Sequence, residues 1–161
     1  PDGARDRRMA GMQHVGRADI ASERAPAPQA DLPRGDLTVR TIAMPADTNA
    51  NGDIFGGWVL TQMDQAGGIA GVDRAQGRVV TVALDAMTFI RPVRVGDVLC
   101  VYTRVSHVGR TSMKIEVEAW ARRFCTQVRE RVTQATLTFV AIDEAGRPRP
   151  IPPLVPSPNP L

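Results

Sequence analysis

The stretch Gly56-Gly57-Trp58-Val59-Leu60-Thr61-Gln62-Met63-Asp64-Gln65-Ala66-Gly67-Gly68-Ile69-Ala70-Gly71 decides the fold. Val59, Met63, Ala66 and Ala70 recur at three- and four-residue intervals, the spacing that lines up one face of an α-helix. The pattern predicts a helix over about 58–75, opened by Gly56-Gly57. Gly67, Gly68 and Gly71 inside it each cost about 1 kcal/mol of helix propensity against alanine. A helix bears that cost where another backbone must come close. The reading is therefore a helix clasped by a sheet.

Outward from this helix the signals are those of strands. Upstream, residues 37–42 alternate and are β-prone, and 45–57 form a polar, glycine-containing loop. Downstream, 78–89, 97–108, 111–124 and 130–142 are each rich in Val, Thr, Ile and aromatics. His107-Val108-Gly109-Arg110 marks a hairpin between two of them. Ser112, Lys114, Glu116 and Glu118 alternate with Met113, Ile115, Val117 and Ala119, which predicts a half-exposed antiparallel strand. One early helix followed by an antiparallel meander is an α+β arrangement, not a parallel α/β one.

The flanks differ in composition. Residues 1–36 are rich in Arg, Asp, Ala, Gly and Pro without apolar periodicity and read as a disordered tail. Residues 148–161 are so dense in proline that neither helix nor sheet suits them, and they read as an extended tail. The folded body is then 37–147, a single domain.

Composition narrows the function. The net charge of +3 comes from scattered arginines with few aromatics, unlike the dense basic stripe of a nucleic-acid binder. Cys100 and Cys125 are isolated and show no metal-ligand spacing, and two free thiols suit a reducing compartment. No apolar run reaches the length of a membrane span, and no signal peptide is visible, so the expected location is the cytoplasm. No Gly-x-Ser-x-Gly supports a serine hydrolase, and no cofactor motif is present.

Residues 41–58, Thr41-Ile42-Ala43-Met44-Pro45-Ala46-Asp47-Thr48-Asn49-Ala50-Asn51-Gly52-Asp53-Ile54-Phe55-Gly56-Gly57-Trp58, resemble the signature loop of the YciA-like acyl-CoA thioesterases. Gln62-Met63-Asp64, Gly77-Arg78-Val79-Val80-Thr81-Val82 and Met87-Thr88-Phe89-Ile90-Arg91-Pro92-Val93-Arg94-Val95-Gly96-Asp97 follow in the family's order and spacing. The resemblance spans the folded body. It implies a hotdog fold, in which an antiparallel sheet wraps a long central helix, and a dimer formed edge to edge, often in trimers of dimers. It implies an acyl-CoA substrate, hydrolysed to free CoA and a carboxylic acid. A non-catalytic acyl-CoA sensor is the alternative, which would need the pocket but no carboxylate.

Within that frame the candidate residues take distinct roles. A helix N-terminus presents unpaired N–H groups and partial positive charge, and Gly56 and Gly57 leave room for a carbonyl to reach them, as an oxyanion hole requires. Asp64 is a lone carboxylate in an otherwise apolar helical run, expected to be buried and to act as general base or nucleophile. Asn49 is a candidate to hold the water or the thioester oxygen, although it also suits a turn. Asp47 and Asp53 are read as loop-shaping groups. Arg91, Arg94, Arg110 and Lys114, with Thr111 and Ser112, are candidates for the CoA phosphates. Thr81 and Val82 are expected to line the acyl channel; Phe55, Trp58, Met63 and Phe89 are candidates to line it too, but read first as core. His14 and His107 accompany no Gly-Gly helix start, which disfavours a dehydratase.

Gly57 and Asp64 lie seven residues apart on one helix, roughly 10 Å along its axis. One helix cannot easily bring both to a single carbonyl. The expectation is that Asn49, Gly56 and Gly57 of one protomer meet Asp64 of its partner, giving two equivalent sites.

Overall fold

The computed structural model describes residues 32–85 and 87–154. The expected N-terminal tail up to residue 31 and residues 155–161 of the C-terminal one lie outside this set. Seven elements follow in order: β1 (Asp36–Ile42), a 3-10 turn (Pro45–Asp47), α1 (Gly56–Ala75), β2 (Val79–Leu84), β3 (Val98–Val108), β4 (Ser112–Arg122) and β5 (Arg129–Ala141). The strands form one sheet in the order β1-β3-β4-β5-β2, with every neighbouring pair antiparallel. The helix lies against all five strands. This is the hotdog arrangement: an α+β fold with one long helix in the grip of an antiparallel sheet.

The helical periodicity holds. Val59, Met63 and Ala66 are buried, and they join Ile115, Val117, Leu137 and Phe139 of the sheet in a single core. The glycines explain how closely helix and sheet approach. A Cβ added at Gly67 would stand 2.9 Å from the Phe139 ring, and one at Gly71 would stand 3.2 Å from Val79 Cγ2. Gly68 meets nothing within 4 Å and lies on the side that the sheet leaves uncovered.

Two strands depart from the expected pattern. The segment expected over 78–89 ends at Leu84, and residues 87–97 belong to no helix or strand. Pro92 has no N–H to donate, and Gly96 turns the chain at φ +87° into β3. The loop is nevertheless tied down by Asp85 N–H to Thr136 O (2.9 Å) and Ile90 N–H to Val132 O (2.7 Å). In β4, Glu118 is not on an open face but only 5% exposed. Its carboxylate accepts from Trp120 Nε1 (2.9 Å) and Arg34 Nε (3.1 Å), partners that make its burial tolerable.

The proline-rich segment has neither helix nor named strand over 148–154, yet it lies docked against the domain rather than trailing from it. Arg149 N–H bonds Ala141 O (2.9 Å), Ile151 N–H bonds Arg110 O (2.8 Å), and the Ile151 side chain packs on the core. Arg149 Nη2 donates to Ala75 O (2.9 Å), satisfying a carbonyl at the helix C-terminus that has no partner within the helix. The folded body therefore extends past Arg147 to at least Pro152, and it begins before Leu37, since Asp36 opens β1 and Arg34 bonds Glu118.

β1 and β2 are the edge strands, each paired on one side only. β2 pairs only with β5, and Val80, Val82 and Leu84 on it are exposed, as are Ile69 and Val72 on the neighbouring helix.

Candidate active site

The loop before α1 builds the first half of the site. Asn49 Oδ1 accepts from the backbone N–H of Asn51 (2.9 Å) and of Asp53 (3.2 Å), and Asn49 N–H bonds Asp53 O (2.7 Å). Asp47 Oδ2 accepts from Met44 N–H and caps the 3-10 turn, while Phe55 N–H bonds Asp47 O (3.0 Å). Asn49 is thus the turn former that its loop called for. Because its oxygen is fully engaged, the orientation of the amide is fixed, and its NH2 group has no acceptor among the described residues.

This loop delivers the chain to a helix start that is left uncapped. Phe55 stands at the N-cap, where it has no side-chain acceptor to offer. Trp58 and Val59 donate to Phe55 O, but the N–H groups of Gly56 and Gly57 have no acceptor among the described residues. Two unpaired donors at the positive end of a 20-residue helix suit an oxygen that gains negative charge.

Asp64 sits elsewhere on the same helix, and its surroundings correct the expectation of burial. Within one protomer it is exposed, because it lies on the helix face turned away from the sheet core. Thr81 of β2 donates its hydroxyl to Asp64 Oδ1 at 2.7 Å. Thr81 therefore holds the carboxylate rather than simply lining a channel. Val82 is 55% exposed and falls at the bulge where the β2–β5 register shifts. Thr61, between the two functional regions, donates to Gly57 O (2.9 Å) within the helix.

The cationic candidates divide. Arg91 is half-engaged, with Nε 3.6 Å from Glu130 and Nη1 on Arg131 O (3.4 Å). Lys114 Nζ lies 3.8 Å from Asp85. Arg94 and Arg110 are exposed and have no ion pair among the described residues. The turn carrying Arg110, Thr111 and Ser112 is positioned through Gly109 N–H to Ser112 O (2.8 Å) and Ala141 N–H to Thr111 O (2.8 Å). Ala141 leads through Arg149 to Ala75, so this turn belongs to the C-terminal end of α1. Gly56 and Gly57 are at the other end, roughly 28 Å away at helical rise. One protomer does not bring the two together.

A groove of about 330 Å3 opens beside Gly56, lined by Ile54, Val59, Phe89, Ile90, Val93 and Val132 among others. Its outer wall is formed by residues 89–93, and a partly buried cluster around Asp97 braces that wall. Arg123 donates to Asp97 Oδ2 (2.5 Å), Glu130 Oε2 (2.6 Å) and Pro92 O (3.0 Å), and Arg94 N–H also bonds Asp97 (2.9 Å). Burial pulls the Arg123 pKa down, but the hydrogen bonds to Glu130 and Asp97 outweigh it and hold the guanidinium above its ordinary value. Among the described residues no group of three or more His, Cys, Asp or Glu side chains is placed to hold a metal ion. No helix among them is long and apolar enough to cross a membrane.

The thioesterase superfamily model matches residues 51–123, which span the uncapped helix start, Asp64 and Thr81. The acyl-CoA thioester hydrolase YciA of Escherichia coli is 50% identical over 125 residues, covering 76% of this chain and 95% of that protein. The chain belongs to the YciA family of acyl-CoA thioester hydrolases. A YciA relative from Haemophilus influenzae, an uncharacterized acyl-CoA thioester hydrolase, is 54% identical over 122 residues, 74% of this chain and 79% of the relative. Among solved structures, a hexameric thioesterase from Yersinia pestis aligns at TM-score 0.73 and 54% identity, over 76% of this chain and 99% of that one. A hexameric broad-specificity acyl-coenzyme A thioesterase aligns at TM-score 0.74 and 52% identity, over 76% and 85%. For this YciA family member, the residues that sequence reasoning missed are Arg123, Glu130 and Val132. They lie more than 65 residues beyond the helix start and reach the site only through the sheet register.

Proposed function

We propose that this protein is an enzyme that hydrolyses acyl-CoA thioesters to CoA and a free carboxylic acid, at sites shared between two copies of the chain. The observation that carries the reading is the pair of unpaired N–H donors at Gly56 and Gly57, on a helix start whose N-cap residue cannot cap it. The thioester oxygen lies on these donors. Asp64, steadied through Oδ1 by Thr81, uses its other oxygen to take a proton from water. The water oxygen attacks the acyl carbon, and the oxyanion forms against the glycine amides. Collapse breaks the C–S bond, and the CoA sulfur leaves and takes up the proton. Asn49 directs its free NH2 to the water or the thioester oxygen.

The second copy is supported by geometry. Gly57 and Asp64 are roughly 10 Å apart along one helix, so neither can complement the other at one carbon. A bare, apolar β2 edge is a ready template for another strand. Pairing β2 with its own copy about a two-fold axis sets two α1 helices side by side in opposite senses. Asp64 of one then faces Gly56 and Gly57 of the other. The same pairing carries the Arg110–Thr111–Ser112 turn to the partner's side of the site, where Arg110 offers charge to the CoA phosphates a pantetheine length from the thioester. Three such dimers make a hexamer, the state of both solved relatives named above. Two free cysteines fit residence in the cytoplasm.

The test is release of free thiol from a panel of acyl-CoAs. Asp64→Asn is expected to lower kcat by at least about 100-fold, the scale of a lost general base. Equal turnover by the two proteins refutes the role of Asp64, and turnover by neither favours a ligand sensor. A mixed dimer of Asp64→Asn with Asn49→Ala retains one intact site if the sites are shared. Complete inactivity of that mixture, with both parents dimeric, refutes sharing.

A further inference from the structure

We propose that Phe89, seated on Gly56, gates an alkyl groove that sets which acyl chain lengths are accepted. The inference rests on the catalytic reading above and goes beyond it by naming where the acyl chain lies. Any thioester whose oxygen reaches the Gly56 and Gly57 amides has its acyl carbon at the mouth of the groove beside Gly56. The Phe89 ring closes over that mouth: a Cβ on Gly56 would stand 3.0 Å from Phe89 Cζ and 3.2 Å from Cε2. The ring is not placed by chance. On one side of it Thr88 O accepts from Thr133 Oγ1 (2.9 Å), and on the other Ile90 N–H bonds Val132 O (2.7 Å). Phe89 is nevertheless 49% exposed, so it is too open to be explained as core filling.

The groove favours an alkyl chain over the pantetheine arm for a reason of polarity. Pantetheine carries two amides, which lose free energy when buried without partners. Beyond the Gly56 amide at the mouth, three N–H groups of the groove wall are already committed: Ile54 N–H to Val93 O (3.1 Å), and Ile90 and Arg91 N–H to Val132 O. Ile54, Val59, Val93 and Val132 add only hydrocarbon, and Arg91, the one charged residue of the lining, has its guanidinium turned to Glu130 (3.6 Å) and Arg131 O (3.4 Å). A methylene chain asks for nothing more.

The experiment compares kcat/KM over a series of straight-chain acyl-CoAs for wild type, Phe89→Ala, Phe89→Leu and Phe89→Trp. Opening the mouth with alanine is expected to raise the long-to-short ratio of kcat/KM about tenfold or more, the scale of methylene discrimination in an apolar pocket. Leucine gives a smaller rise, and tryptophan lowers the ratio. A change uniform across all chain lengths overturns the proposal, because the groove then serves the part common to every substrate. An unchanged ratio in active variants overturns it as well. Absence of thiol release by the wild type defeats the catalytic reading and this one together, a pattern distinct from either. Leucine keeps the test standing if alanine fails to fold.

Discussion

Gly57 and Thr81 each isolate one atom of the proposed mechanism. A Cβ added at Gly57 meets nothing within 4 Å, and the residue has no left-handed φ, so Gly57→Ala fits the protomer. Its stability should hold or rise by up to about 1 kcal/mol, since alanine is the better helix former. Its methyl group stands where the thioester oxygen must approach, and kcat should fall about tenfold, less than the 10²–10³ that follows outright loss of an oxyanion donor. Thermal melting and thiol release on the same preparation check both halves, and an alanine variant with wild-type kcat refutes the oxyanion role. At Thr81 the test is of a hydroxyl. Thr81→Val removes the donor to Asp64 Oδ1 while keeping the shape, and kcat should drop about tenfold with KM little changed, as for a lost hydrogen bond to a charged group. Thr81→Ser should restore most of it; failure of serine to rescue would mean that the methyl, not the hydroxyl, matters. Asp64 was legible as the odd carboxylate in an apolar helix, but its exposure was not. Helical periodicity tells which face a residue shares, and the partner of that face comes from β2, seventeen residues on.

Helix and strands were readable because each is long and strongly patterned. The glycines of α1 show both the power and the limit of that reading. Gly67 is crowded by Phe139 and Gly68 is open, though the two are adjacent and identical in sequence. Gly67→Ala should therefore cost about 1–3 kcal/mol by overpacking against the ring. Denaturant melts check this, and an equal or higher midpoint for Gly67→Ala than for wild type counts against the clasped helix. The end of β2 was not legible, because β-prone residues continue to Phe89 while the backbone leaves the ladder. What holds that departing loop is Arg123, whose partners Asp97, Glu130 and Pro92 O are scattered along the chain. Arg123→Ala leaves Asp97 buried and without its cation. The loss should be about 3 kcal/mol, the lower end for breaking a buried pair. Because the same loop forms the wall beside Gly56, acyl-CoA KM should rise in Arg123→Ala and recover partly in Arg123→Lys.

The whole molecule is organised around a sheet with an open β2 edge and a proposed catalytic inventory split along one helix, glycine amides at its start and Asp64 at its middle. Among the described residues the Gly56 and Gly57 amides have no acceptor, and Asp64 stands roughly 10 Å further along the same helix. The C-terminal half of the molecule shows the same division, since the Arg110–Ser112 turn is pinned by Ile151 at the far end of α1. If each protomer is half of two sites, as proposed, activity should vanish when copies are separated even with every proposed functional side chain in place. Val80 and Leu84 are the residues to use, being exposed on β2 and absent from the proposed chemistry. Lysine at both positions sets like charges against their own copies across a two-fold axis, a device by which natural edge strands refuse partners. The double variant Val80→Lys, Leu84→Lys should elute as a smaller species in light-scattering chromatography and keep the far-ultraviolet signature of the fold. Its thiol release should fall by at least about 100-fold, as if the base had been removed. High salt screens exposed charges and should restore part of both assembly and activity. A folded monomer that turns over acyl-CoA at the wild-type rate would show that one helix serves the carbonyl alone, and the split-site reading would have to be abandoned.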